Sequence, residues 1–386
     1  MTDQPAPTEI IYEEPFRIFF PLGILCGLAG ISLWFGPYLG LGLPHSGLYH
    51  GLLQIQGFIM AFAVGFLMTS LPRFMEAPRS RWWEILLNAV LLLGNVIALY
   101  LGAWRLAEYL FLALVIHMLL FVLQRFVKRE DNPPPAFVLA GFGLLCALAG
   151  GWFLLHPLSG FSKMGQSMLE QGMLLGFVMA VGSHLGPRLL HGNRHYPDTE
   201  GPEFRKKLWI FLGTGLLLFL SFPLEAGFSL LWGRLLRGLV VTAYLLTVVR
   251  IHRPPSRPLL HLYLLWLSFW CVPAGQWLVA LFPTYEMTAL HVTFIGGFGL
   301  MTLVIATRVI VAHCDFDEMW EVNSWKIAIP GILFILALLV RIGADLVPQY
   351  YLDLLSAGAG IWLVGALTWG AVFAPKVGPS NISPDD

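Results

Sequence analysis

Charge is what this sequence has least of. Only 12% of its 386 residues are Asp, Glu, Lys or Arg, where a soluble domain carries about 25%. That is too little to cover a globular surface. The 23 basic and 23 acidic residues cancel, so no charge excess draws the chain to nucleic acid. Cysteine is scarcer still. Cys26, Cys146, Cys271 and Cys314 are far apart and form no CxxC, which excludes a disulfide framework or a thiolate zinc site. They read as small core residues. A cleavable leader is also missing, because residues 1–17 hold Glu13 and Glu14 and lack a basic start before a short apolar stretch.

What fills the chain is apolar. Hydrophobic residues make up 57% and fall in blocks of about twenty, the length an α-helix needs to cross a bilayer core. Twelve spans follow: 18–38, 48–71, 83–102, 106–125, 136–156, 167–186, 208–224, 229–249, 259–281, 287–310, 325–343 and 351–373. Prolines mark many of the breaks, among them Pro72, Pro78, Pro133 to Pro135, Pro187, Pro254 and Pro255. The run length excludes barrel strands, which alternate over about ten residues. The expected fold is therefore all-α, a polytopic membrane helix bundle in contact with the lipid bilayer. Its parts are an N-terminal tail (1–17), a twelve-helix transmembrane domain (18–375) and a C-terminal tail (376–386).

Orientation follows from the loops. With the N-terminus inside, 18 of the 23 Lys and Arg fall on the inner side, as short cytoplasmic loops require. Both tails are then cytoplasmic, and the membrane is a bacterial inner membrane. The polar ends, 1–14 and 376–386, read as short flexible tails, and no internal repeat is evident by eye.

Ionisable residues are costly in a membrane and mark sites, so the eleven histidines are examined first. His184, His191, His195, His252, His261 and His313 fall near the inner face. His191 and His195 read as solvated loop residues, and His117 as a mid-membrane group bonded to a neighbouring helix. His45, His50, His156 and His291 fall near the outer side. His50 opens the second span and His291 the tenth, at similar depth. Two neutral imidazoles facing each other can hold a haem iron, and Gly51, Gly57, Gly296, Gly297 and Gly299 would leave room for the macrocycle. Tight helix packing explains the same glycines. Arg234 and Arg237, three apart on one face of the eighth span, suit haem propionates. Snorkelling to lipid headgroups accounts for them as well, and Glu170, Glu225 and Glu286, near the outer ends of their helices, are further partners. Gln54, Gln56, Asn88 and Asn95 read as interhelical hydrogen bonds, or as partners of a histidine's second nitrogen. Trp82, Trp83, Trp104, Trp209, Trp232 and Trp320 form an interfacial belt.

Three segments carry a resemblance. PFRIFF (Pro15 to Phe20), YHGLLQIQGFIMAFAVGFLMTSLPRF (Tyr49 to Phe74) and LHVTFIGGFGLMTLVIATRVIVAH (Leu290 to His313) are similar to the opening, second helix and tenth helix of NnrS-family membrane proteins. The family's WHAHE box keeps its first histidine here as His50, while Leu52 and Leu53 replace its second histidine and its glutamate. His291, Thr302, Arg308 and His313 match the tenth-helix pattern. The resemblance implies a haem b protein, with copper as a further metal, acting in nitric oxide stress or denitrification. Its haem would lie between the second and tenth helices on His50 and His291, with His313 a weaker metal candidate. Nitric oxide or an electron donor would be its partner. The distant likeness to the haem–copper oxidase main subunit does not extend to an oxidase-type copper site, since the seventh span has no histidine and His184 lies near the inner end of the sixth.

Two other classes fit the sequence. A twelve-helix secondary transporter would show related halves and polar residues lining mid-membrane helices. A cofactor-free partner subunit of a respiratory complex would co-purify with that complex.

Overall fold

A computed structural model describes residues 7–35, 47–156, 161–193, 198–314 and 322–378. His45, Arg194, His195 and Trp320 lie outside them. Twelve apolar helices account for the twelve expected spans: α1 (Phe16–Ser32), α2 (Gly47–Phe74), α3 (Trp82–Tyr100), α4 (Trp104–Val127), α5 (Pro135–Leu155), α6 (Phe161–His191), α7 (Gly201–Gly227), α8 (Leu230–Val249), α9 (Leu260–Leu281), α10 (Pro283–His313), α11 (Trp325–Leu346) and α12 (Pro348–Val377). Eleven are long and apolar enough to cross a membrane, and α1 is a shorter apolar helix of 17 described residues. The chain is a multi-pass membrane protein. Leucines and isoleucines such as Leu86, Ile97, Leu123 and Leu339 are exposed on helix faces, as a lipid-facing surface requires.

The division between the third and fourth spans, expected at Arg105 and Leu106, falls two to three residues earlier. Gly102 takes a left-handed φ of 79° there, a conformation that glycine adopts without steric cost, and the chain reverses into α4. One expectation is corrected at the N-terminus. Pro7–Glu13 forms a short helix rather than a flexible tail, and it is tied down where the Ser80 amide donates to the Tyr12 carbonyl at 3.1 Å.

The described residues form two compact units. The first comprises residues 1–131, 302–333 and 359–386, and the second residues 132–301 and 334–358. In the first, α1 packs along α2, and α3 along α4. A buried ion pair clamps the α3–α4 hairpin, with Arg125 bidentate on Glu84 and 3.8 Å from the Phe121 ring centre. In the second, α5 packs on α6, α7 on α8, and α9 on the middle of α10.

A second correction concerns internal repetition, which the chain does contain. Residues 23–30 of α1 read GILCGLAG and residues 143–150 of α5 read GLLCALAG, identical at six of eight positions. In α9 the pattern reduces to Cys271-Val272-Pro273-Ala274-Gly275, so Cys-x-x-Ala-Gly occurs three times. The following helices match too. Gln56-Gly57 and Pro72-Arg73 of α2 recur 115 residues on as Gln171-Gly172 and Pro187-Arg188 of α6.

Packing repeats with the sequence. Each of α2, α6 and α10 opens into a π-helical stretch near its start, Leu53–Ile59, Met168–Met173 and Val292–Gly299. A Cβ on the π-helical Gly57, Gly172 or Gly296 would stand 3.1, 3.0 or 3.2 Å from the Cβ of Cys26, Cys146 or Cys271. A Cβ on the motif glycines Gly30, Gly150 and Gly275 would meet Gln54, Leu169 and Thr293 of those stretches within 2.7 Å. The first two helices of three successive groups of four, α1–α4, α5–α8 and α9–α12, thus repeat one crossing. Small residues let the first two helices of each repeat cross at backbone contact.

Candidate functional site

The two histidines singled out by sequence lie in different units, His50 in the first and His291 in the second. Both precede a π-helical stretch, a local irregularity that recurs at functional sites. His50 Nδ1 lies 3.0 Å from the Gly30 carbonyl. That carbonyl is in the last turn of α1, where the helix supplies no donor, so the imidazole serves as its cap. Beside it, Gln54 Nε2 donates to the Gly27 carbonyl at 2.9 Å, and the His50 ring packs edge-on against Trp34 at 5.4 Å between centres. His291 Nδ1 lies 2.7 Å from the Met287 carbonyl one turn back, with Phe294 edge-on at 6.2 Å.

A carbonyl only accepts, so Nδ1 donates in both rings and Nε2 carries the lone pair of the neutral imidazole. This is the tautomer of a metal-ligating histidine whose second nitrogen is held by backbone. The donor chemistry of both residues therefore fits an iron ligand.

Arg234 and Arg237 are buried in the second unit within a network of the chain's own carboxylates. Arg234 Nε donates to Glu225 at 2.9 Å, its Nη2 lies 2.7 Å from Glu286, and its Nη1 donates to the Val279 carbonyl at 3.1 Å. Arg237 pairs with the other oxygen of Glu225, donates to Gln171 at 2.8 Å and to Ser221 at 3.2 Å, and lies 4.0 Å from the Phe222 ring centre. Two buried guanidinium groups face two carboxylates, and the exposed Lys163 stands 3.8 Å from Glu286. Of the pairings weighed from sequence, it forms those with Glu225 and Glu286. Glu170 accepts instead from Gln166 at 2.7 Å.

His313 closes α10 in the first unit, inside a cluster that sequence reasoning missed. Its Nδ1 lies 2.7 Å from Glu14 Oε1, which also accepts from Arg73 at 2.9 Å. Glu14 Oε2 accepts from Arg17 at 2.6 Å, and Arg17 reaches the His313 and Gly378 carbonyls at 3.0 Å each. The cluster ties the starts of α1 and the ends of α2, α10 and α12 together. Burial alone would raise the Glu14 carboxyl, but the hydrogen bond from His313 and the charges of His313 and Arg17 outweigh it and hold it below 4.5. Two guanidinium groups beside His313 make this an unfavourable place for a metal cation. Among the described residues, no three His, Cys, Asp or Glu side chains gather for a metal.

A third group lies on α2, α3 and α4. Gln56 Nε2 donates to Glu108 at 2.7 Å, and Asn95 Nδ2 donates to Gln56 Oε1 and to the Ala107 carbonyl, both at 2.9 Å. The two glutamine and asparagine amides appear in the sequence as polar residues within apolar runs. Glu108 escaped notice because it lies near a helix start beside Arg105, where a carboxylate reads as interfacial. His117 Nδ1 donates to Asn88 at 2.9 Å, the neighbouring-helix bond expected of it.

Residues 10–378, nearly the whole chain, match the family described as NnrS protein. This protein belongs to the NnrS family. Its twelve apolar helices and the placement of His50 and His291 beside π-helical stretches are thus features of an NnrS protein. No curated protein matches the chain.

Proposed function

We propose that this NnrS-family protein binds haem b in a bacterial inner membrane and acts in the response to nitric oxide, in nitrosative stress or denitrification. The observation that carries the reading is the shared state of His50 and His291. In each, a backbone carbonyl takes the Nδ1 proton and leaves the lone pair on Nε2. The repeat adds support. The position in α6 that corresponds to His50 is Gly165, so the packing frame forms without a histidine there. The histidine is thus an addition of the first repeat, where its Nδ1 also caps α1.

When bound, a haem supplies a one-electron iron centre. His50 and His291 would hold the iron, and with both engaged the group would supply electron transfer rather than gas binding, which needs an open position. Copper remains a second metal to assay. A propionate taken up by Arg234 and Arg237 has to compete with Glu225 and Glu286, which already match the two cations. The excess of Lys and Arg on one set of loops supports the cytoplasmic placement of both termini.

The test is a reduced-minus-oxidised visible spectrum of the protein purified in detergent after haem-supplemented expression. The expected result is a b-type band lost in His50→Ala and in His291→Ala. A band that survives both substitutions overturns the ligand pair. No band from well-folded protein overturns the haem reading itself.

A further inference from the structure

We propose that Glu108, held by Gln56 and Asn95, is a reversible proton-binding site inside the first group of four helices. The proposal is independent of the haem reading and uses different residues. Glu108 is completely buried, as are Gln56 and Asn95. Its Oε1 accepts from Gln56, but its Oε2 is buried with no hydrogen-bond partner. Asn95 Oδ1 in the same group is likewise buried without a partner.

The amide orientations are fixed by the chain. Asn95 Nδ2 faces the Ala107 carbonyl, which only accepts, so Asn95 presents its nitrogen to Gln56. Gln56 must therefore present oxygen to Asn95 and nitrogen to Glu108. Asn95 has given both of its N–H groups, and Gln56 gives its nitrogen to Oε1, so neither amide bonds Oε2.

Among the described residues no counter-charge replaces the missing donor. The other charged groups of α2, α3 and α4 are engaged elsewhere. On α2, His50 bonds the Gly30 carbonyl and Arg73 pairs with Glu14. On α3, Glu84 pairs with Arg125 of α4, and the Tyr100 hydroxyl meets Ser32. On α4 itself, His117 bonds Asn88 and Arg105 lies over Trp104.

An ionised carboxylate buried with one hydrogen bond and no cation is strongly disfavoured. Adding one proton to Oε2 removes the charge and turns one of two lone acceptors into a donor. The carboxylate gains H⁺ from water on protonation and returns it on ionisation, with no other reactant. Gln56 lies in the π-helical stretch of α2, so the site is built on the irregular part of the repeat. In the second repeat the corresponding Gln171 faces Arg237. The same glutamine position thus serves a carboxyl in one repeat and a guanidinium in the other.

The test is infrared spectroscopy of the full chain in lipid nanodiscs across a pH series, in H2O and D2O. We expect a protonated-carboxyl C=O band at neutral pH that downshifts in D2O, disappears in Glu108→Gln and gives way to carboxylate as pH rises. Gln56→Met removes the donor on Oε1 and should move the same band to higher frequency, which keeps the test decisive if Glu108→Gln does not fold. A carboxylate at every pH, a band untouched by both substitutions, or a band that never titrates would each overturn the proposal. So would a midpoint that shifts with sodium concentration, which would make the ligand a metal cation.

Discussion

Replacing Arg237 by methionine should cost the protein about 3–5 kcal/mol, the usual loss when one partner of a buried ion pair is removed. Arg237 is fully buried, and its donors serve Glu225, Gln171 and Ser221. Methionine fills similar volume but leaves Gln171 Oε1 without its donor and Glu225 with Arg234 alone. Arg234 is then the one buried cation for two carboxylates, with exposed Lys163 3.8 Å from Glu286. Charge balance, not lost packing, is the argued cause, and that makes a second variant informative. Arg237→Met combined with Glu225→Leu restores balance, because Arg234 keeps Glu286 at 2.7 Å. The double variant should recover at least about half of the loss, a coupling that a double-mutant cycle reads directly. Unfolding by SDS in mixed micelles, followed by tryptophan fluorescence, supplies the free energies. A loss below about 1 kcal/mol for Arg237→Met would refute the reasoning. Additive losses in the double variant would refute the charge argument while leaving the packing one.

Three further outcomes follow from single contacts. Gly176→Ala should abolish stable folding or cost more than about 3 kcal/mol, because its Cβ would lie 2.7 Å from backbone atoms of Gly143 and Leu139 that cannot swing away. Size-exclusion monodispersity after detergent extraction checks this. Thr307→Val removes the hydroxyl that accepts from the buried Trp369 indole at 2.8 Å. It should cost about 1–3 kcal/mol, while Thr307→Ser should be near neutral in the same unfolding assay. The Glu14 carboxyl is held below its ordinary value, so its contribution is present above pH 4.5 and is lost as pH falls through the lowered value. Glu14→Gln should lower the melting temperature at neutral pH and flatten its decline in acid, and a pH series of melting curves reports both.

The membrane helices were legible because each is a single long apolar run. Hydropathy needs only length, and every span found in sequence has its helix. The short helix at Pro7–Glu13 was not legible, since seven polar-rich residues carry no such period and its order comes from contacts such as that of Tyr12 with Ser80. The candidate site was legible residue by residue but not as groups. His50 and His291 stand out because ionisable residues are rare in membrane spans, yet the carbonyls that hold their Nδ1 atoms depend on where α1 ends and how α10 turns. Glu14, Arg73 and His313 come together from positions about 60 and 240 residues apart, a convergence that no local pattern announces.

The repeat explains why the chemistry was hard to see. Its signature is carried by glycine, alanine and cysteine, the residues that packing arguments discount, and the polar positions have diverged around them. Cys26 with Gly57, Cys146 with Gly172 and Cys271 with Gly296 keep one backbone crossing in three places. Upon that frame Gln56 meets a carboxyl, Gln171 meets an arginine, and the third repeat has Ile295 instead. A residue the frame does not need, and that only some repeats carry, is held for what it does. His50 meets that condition against Gly165, and Glu108 meets it against Arg234, each at the fifth residue of α4 and α8. Substituting the second-repeat residue into the first, as His50→Gly, should therefore leave the folded helices intact and remove only the haem band. Loss of folding in that variant would show that the histidine serves the frame as the cap of α1 and would remove the main support for reading it as a ligand.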